Sequence, residues 1–376
     1  MNLDIVIFGL SITSSWGNGH ASTYRALTKA LHQRGHRVTF VERDVAWYAA
    51  HRDLSDSPYC RVELYRSLGD VPRRFLRLVS DADLIIVGSY VPDGAVLADW
   101  LTMHATGVTA FYDIDTPVTL ARLEQDKAEY IRAALIPRFD LYLSFTGGPV
   151  LDLIENIYGN ARARPLYCAV DPDVHAPVVR SERSWSLGYL GTFSADRQQK
   201  LDQLLLEPAR RMPQHKFVVA GAQYPLSIAW PANIERIDHL PPKSHPKFYC
   251  GQRYTLNVTR SDMVAAGFSP SVRLFEAAAC GVPIISDRWP GLDTFFTPGR
   301  EILIADIAEN VLHILRELPD ERRRSIAAAA RKRVLENHTA SHRAQQLEDY
   351  YAEVVDGWTS KVTARQRSKP KVEAVL

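Results

Sequence analysis

Arg273 and Glu276 sit in the run Phe268 to Asp287, FSPSVRLFEAAACGVPIISD, which reads as loop, helix, tight turn and buried strand. A helix start offers unpaired N–H groups and the positive end of a dipole, which suits a phosphate. A carboxylate within two turns of that start suits a vicinal diol, to which it makes charge-assisted hydrogen bonds. Ser269 reads as the N-cap and Pro270 as the first helical position, leaving the amides of Ser271 and Val272 for an anion. Ala277, Ala278 and Ala279 let this helix lie close to a sheet, and Gly281 ends it. An ordinary helix with a solvated Glu fits the same letters. Phosphate-binding and diol-binding groups side by side describe a nucleotide-sugar site.

Three other segments carry candidate chemistry. In Gly191 to Lys200 (GTFSADRQQK), Thr192 follows a strand, and Arg197 and Lys200 share one helix face. Two cations there suit a diphosphate, with Arg able to bind it bidentately; a solvated basic face is the plainer alternative. The loop Gly9 to His20 (GLSITSSWGNGH) follows the first strand. Its Trp16, Gly17, Asn18 and Gly19 could border a ligand, and His20 at the next helix start has the near-neutral pKa of a general base. A turn with a capping His fits as well. The loop lacks a compact G-x-G-x-x-G, so an NAD site is disfavoured although Glu42 ends the second strand. Phe111 to Pro117 (FYDIDTP) puts Asp113 and Asp115 at a strand's carboxyl end, where either could act on an acceptor or cap the following helix. His338 and His342 are four apart but lack a third ligand, so no metal ligand is assigned.

These segments need a framework. Strands are expected at Asp4–Phe8, Val38–Val41, Leu84–Val87, Val108–Tyr112 and Leu141–Phe145, alternating with helices such as Ala21–Arg34. The alternation pauses at Ala169–Pro177 and the polar Arg180–Arg183. It restarts with strands Trp185–Leu190, Lys216–Ala220, Tyr254–Val258, Val282–Ser286 and Ile302–Ala305, and ends in helices. Short apolar strands separated by helices imply parallel sheets covered on both faces. At 376 residues, two domains are expected: 1–175, and 176–339, with helix 340–357 returning to the first. Residues 358–376 read as a basic, disordered tail that could touch an acidic membrane surface weakly. A net charge of +2 argues against nucleic acid as a partner. Cys60, Cys168, Cys250 and Cys280 form no C-x-x-C pair and read as buried thiols. With no signal segment and no apolar run of about 20 residues, a cytoplasmic protein without an integral membrane segment is expected.

The chain resembles the GT-B glycosyltransferases. It is similar to the group related to the spore protein CgeB and to the glycosyltransferase family-1/4 C-terminal domain. The resemblance covers the chain to about residue 357. It rests on Trp16–His20, Val170–Pro177 (VDPDVHAP), Ser271–Pro283 and the closing helix His342–Val355. It implies two Rossmann-like domains facing a cleft. It also implies that Glu276 binds the donor ribose and that Arg197 and Lys200 neutralise the diphosphate. The implied activity is metal-independent hexosyl transfer from a nucleoside-diphosphate sugar to an acceptor hydroxyl, without a cofactor. Many retaining members carry a second Glu eight positions earlier, where this chain has Phe268; retention and inversion both stay open. A sugar-nucleotide epimerase of the same fold and a non-catalytic coat or interaction protein are the alternatives.

Overall fold

A computed structural model describes residues 1–17, 19–178 and 184–367. The first sheet has seven strands: β1 Asp4–Gly9, β2 Arg37–Arg43, β3 Arg61–Tyr65, β4 Leu84–Gly88, β5 Val108–Asp113, β6 Leu141–Ser144 and β7 Ala163–Pro165. They lie in the order β3-β2-β1-β4-β5-β6-β7. The second has six: β8 Trp185–Leu190, β9 Phe217–Ala220, β10 Ile234–Ile237, β11 Gln252–Asn257, β12 Ile284–Ser286 and β13 Leu303–Ile304. Their order is β10-β9-β8-β11-β12-β13. Every pairing in both sheets is parallel. The central strands are continuous apolar runs buried on both faces, as parallel sheets covered by helices require.

The strand order reverses between β1 and β4 in one sheet and between β8 and β11 in the other. In open parallel sheets, ligands bind beyond the carboxyl ends of the strands at such points. Six helices matter to that region: α1 Gly19–Gln33, α2 Thr116–Glu124, α3 His245–Cys250, α4 Val272–Ala279, α5 Asp320–Asn337 and α6 Ala340–Arg367. β3, β7 and β10 were not expected from the sequence. They are sheet-edge or half-exposed strands carrying Arg, Glu or Pro, so they lack the apolar signal of the central strands.

The chain crosses between the sheets near Val170 and returns near Thr339, and the two crossings pair in parallel with each other. The Arg180–Arg183 stretch lies outside the described residues. α6 then packs on α1 and β5 of the first sheet. Its Ala344, Leu347 and Val354 are buried. It continues to Arg367, ten residues beyond the expected end. The remainder, 368–376, lies outside the described residues.

Glu348 fixes this return. Its carboxylate takes Arg34 Nε at 2.7 Å and His36 Nε2 at 2.7 Å. His36 Nδ1 accepts the Leu3 amide at 3.1 Å, so Nε2 carries the proton donated to Glu348. Glu348→Ala leaves the His36 N–H unpaired in a fully buried ring, at a cost of about 1–3 kcal/mol. We expect hydrogen exchange to accelerate selectively over residues 340–357 in this variant; a uniform change along the chain would contradict the anchoring role.

Candidate functional site

A cavity of about 620 Å³ opens between the carboxyl edges of the two sheets. That size accommodates a small-molecule ligand. It is bordered by the loops after β1, β5, β8, β10 and β11 and by the start of α4. Contacts across it join the domains. Thr146 Oγ1 and Ser269 Oγ lie 2.9 Å apart, and the Gly147 amide donates to the Phe268 carbonyl at 3.0 Å. Gly148 has φ of +62°, and a Cβ there would stand 2.3 Å from the Phe268 ring, so only glycine admits this close approach.

α4 starts two residues later than the sequence suggested. Ser271 is its extended N-cap residue, with Val272 and Arg273 supplying the first free amides. Ser271 Oγ bonds Asn257 Oδ1 at 2.8 Å instead of capping the helix, and Ser269 faces Thr146. Glu276 lines the cavity one turn further on and is 3% exposed. Its Oε2 accepts the Tyr249 hydroxyl at 2.8 Å, and His245 Nδ1 lies 3.6 Å away. Its Oε1 lies 3.4 Å from His175 Nε2. Burial alone would raise its pKa. The neighbouring imidazoles, His175 foremost, and the Tyr249 hydroxyl outweigh that and hold it at about 2. His175, His245 and Glu276 are also the group among the described residues that could hold a metal ion.

Arg273 is buried. Its Nε bonds the Leu190 carbonyl, its Nη1 bonds Asn257 Oδ1 at 2.9 Å, and its guanidinium lies over the Tyr189 ring at 4.7 Å. It ties α4 to the ends of β8 and β11 while bordering the cavity. Thr192 and Arg197 also border it, with Arg197 Nη2 on the Thr192 carbonyl at 2.7 Å and its Nε without a partner. Lys200 departs from expectation. Its Nζ bonds the Asp306 carbonyl at 3.2 Å, and it does not line the cavity. The cation that sequence reasoning missed is Arg260, in the loop after β11. It lies 3.7 Å from Asp196 and 3.7 Å from Asp115 across the cleft. Its position beyond a strand at the reversal of strand order was the available signal.

In the first domain, Gly17, Gly19 and His20 border the cavity, with open space at both glycines. His20 opens α1 and meets the Tyr90 ring edge-on at 5.4 Å. Burial lowers its pKa, opposed by the charge of Asp115. Asp115 accepts the Tyr90 hydroxyl at 3.1 Å and borders the cavity. Its carbonyl, not its carboxylate, opens α2. Asn18 lies outside the described residues. Trp16 does not line the cavity; it stacks on His51 at 4.5 Å and meets Trp47 edge-on at 4.6 Å.

Asp113 never reaches the cleft. It is fully buried, accepting Tyr142 Oη at 2.6 Å, Thr119 Oγ1 at 2.8 Å and the Asp115 amide at 3.2 Å. It holds the strand end instead of acting on a ligand. Glu42 is likewise consumed. It accepts the amides of Ile12 at 2.7 Å and Thr13 at 3.1 Å, and the hydroxyls of Ser11 and Thr13. A carboxylate so saturated has little capacity left for a ribose diol. His338 accepts from Arg343 and stacks on Phe275, while His342 bonds Thr339; both serve the packing of α5 and α6.

The two facing parallel-sheet α/β domains define the GT-B fold. Residues 197–349, which include α4 and most of the second domain, match the family model described as glycosyl transferase-like. Three solved structures share the fold. Sucrose-phosphate synthase from Thermosynechococcus elongatus is 15% identical with a TM-score of 0.68, over 94% of this chain and 99% of that one. Anabaena HepE in complex with UDP and glucose is 12% identical with a TM-score of 0.67, over 93% and 99%. An alpha-glucosyltransferase in complex with UDP-glucose and DNA containing an abasic site is 13% identical with a TM-score of 0.70, over 94% and 100%. Among the described residues, no helix is long and apolar enough to cross a membrane.

Burial, only partly offset by its three donors, raises the Asp113 pKa from 3.8 to about 6. Between those values the folded chain holds a proton that the unfolded chain releases, so this residue's contribution to stability falls as pH rises through the window. Across about two pH units that amounts to about 3 kcal/mol. Urea midpoints at pH 4.5 and 7 should therefore converge in Asp113→Asn relative to the native protein. An unchanged pH dependence would contradict the assignment.

Proposed function

We propose that this protein transfers a hexosyl group from a nucleoside-diphosphate sugar to an acceptor hydroxyl. The observation that carries the reading is the gathering of Glu276, the amide-rich start of α4 and Arg197 around one cavity at the reversal points of both sheets. In this reading Glu276 accepts the ribose hydroxyls, and its low pKa keeps it ionised at neutral pH. The diphosphate lies against the Val272 and Arg273 amides, with Arg197 and Arg260 supplying positive charge. Those groups stabilise the leaving diphosphate without a catalytic metal or a cofactor. The HepE and alpha-glucosyltransferase structures contain UDP or UDP-glucose, which supports a donor of this class.

The acceptor enters from the first domain. His20, kept neutral by burial, takes the acceptor proton, and Asp115 stands beside it to stabilise the imidazolium. Closing the domains excludes water and so limits hydrolysis of the donor.

UDP, GDP, dTDP and CDP, screened by thermal shift beside NAD, should raise the melting temperature selectively for a nucleoside diphosphate. Stabilisation by NAD alone would overturn the reading. Glu276→Gln keeps the shape but weakens two charge-assisted bonds, so nucleotide affinity should fall at least about tenfold by calorimetry. His20→Ala should lower kcat about 100-fold or more while donor affinity stays unchanged. Loss of melting temperature without loss of kcat would make His20 a structural residue. Proton NMR of the products separates transfer from epimerisation, because only transfer consumes an acceptor.

A further inference from the structure

The surroundings of Glu276 hold more than a ribose contact requires. His175 arrives from the crossing between the domains and His245 from the start of α3. The ligand atoms of His175, His245 and Glu276 all lie within 4.8 Å of one another. Two ligands each about 2.1 Å from a shared ion at the tetrahedral angle stand about 3.4 Å apart. The two His–Glu separations, 3.4 and 3.6 Å, are of that size and long for hydrogen bonds.

The partners of these rings point the same way. His175 is 6% exposed, and neither of its ring nitrogens makes a hydrogen bond of good geometry. His245 Nε2 lies 3.3 Å from the Leu240 carbonyl, to which it donates. His245 Nδ1 is turned toward Glu276 Oε2 at 3.6 Å, so one ring nitrogen of each histidine faces the same carboxylate. The Tyr249 hydroxyl on Glu276 Oε2 and the Leu240 carbonyl on His245 orient two of the three groups from behind, as outer-shell partners do in metal sites.

We propose that His175, His245 and Glu276 form a binding site for a divalent transition metal of the zinc type, which shares Glu276 with the nucleotide. Two imidazoles and one carboxylate suit zinc better than magnesium or calcium. The competition rests on the proposed role of Glu276 in holding the donor ribose. The metal is then an antagonist of donor binding, not a participant in transfer.

Zinc titrated calorimetrically into chelator-treated full-length protein should bind one equivalent per chain. Cobalt should give the intense visible absorption of a four-coordinate site. His175→Ala and His245→Ala should each weaken zinc binding at least about tenfold, with circular dichroism reporting that the fold is retained. His245→Asn, a gentler change at a partly exposed ring, should do the same. Zinc should raise the Kd for UDP in the native protein and not in His245→Asn. Absence of stoichiometric zinc binding, equal affinity in the histidine variants, or a UDP affinity indifferent to zinc would each overturn the proposal. UDP binding to chelator-treated protein is measured separately. If that fails, the nucleotide reading falls, whereas the zinc titration still decides whether the metal site exists.

Discussion

A carboxylate removed from water has to be compensated, and the second-domain half of this cleft is built around compensating one. Glu276 is buried in the wall of the cavity, where an unpaired charge would cost several kcal/mol. Three elements converge to meet that cost. α3 presents His245 and Tyr249, four residues apart and so on one helix face. The crossing segment brings His175, and α4 carries Glu276 itself close to the sheet on its alanines. Because His175 lies on the path between the domains, the electrostatics of the site and the geometry of the crossing are physically joined. Lys29 strengthens that joint by bonding Asp171 at 2.8 Å and Asp173 at 2.7 Å in the same segment.

The first domain solves a different problem with the same means. Asp113 and Glu42 are buried carboxylates too, but each is enclosed by hydroxyls and amides of its own domain. Their work is to fix the loops after β5 and β1. That leaves Asp115 and His20 as the ionisable groups those loops present to the cavity. Satisfied carboxylates hold the frame, and less saturated ones face the cavity.

The architecture was legible in the sequence because parallel strands buried on both faces write themselves as runs such as Ile5–Phe8 and Leu84–Val87. The edge strands were not, since charged and exposed residues carry no comparable pattern. In the site, Glu276 and the start of its helix could be read from local chemistry, as could Arg197 beside Thr192. The placement of α4's cap was off by two residues because Ser269 and Ser271 are both good caps, and only the Thr146–Ser269 contact between domains distinguishes them. Lys200 lies off the cavity, because helical spacing gives a shared face but not the direction of a long flexible side chain. Arg260, Tyr249 and the His175–His245 pair depend on contacts between elements far apart in the chain. No spacing rule encodes those contacts.

We propose that one acidic side chain on α4, Glu276, grips the ribose of an activated sugar donor. A crystal structure of the protein with UDP tests it most directly. The account places both ribose hydroxyls within hydrogen-bonding distance of the Glu276 carboxylate and the phosphates against the first amides of α4. A nucleotide seated in the loops of the first domain, or a ribose turned away from Glu276, would contradict it.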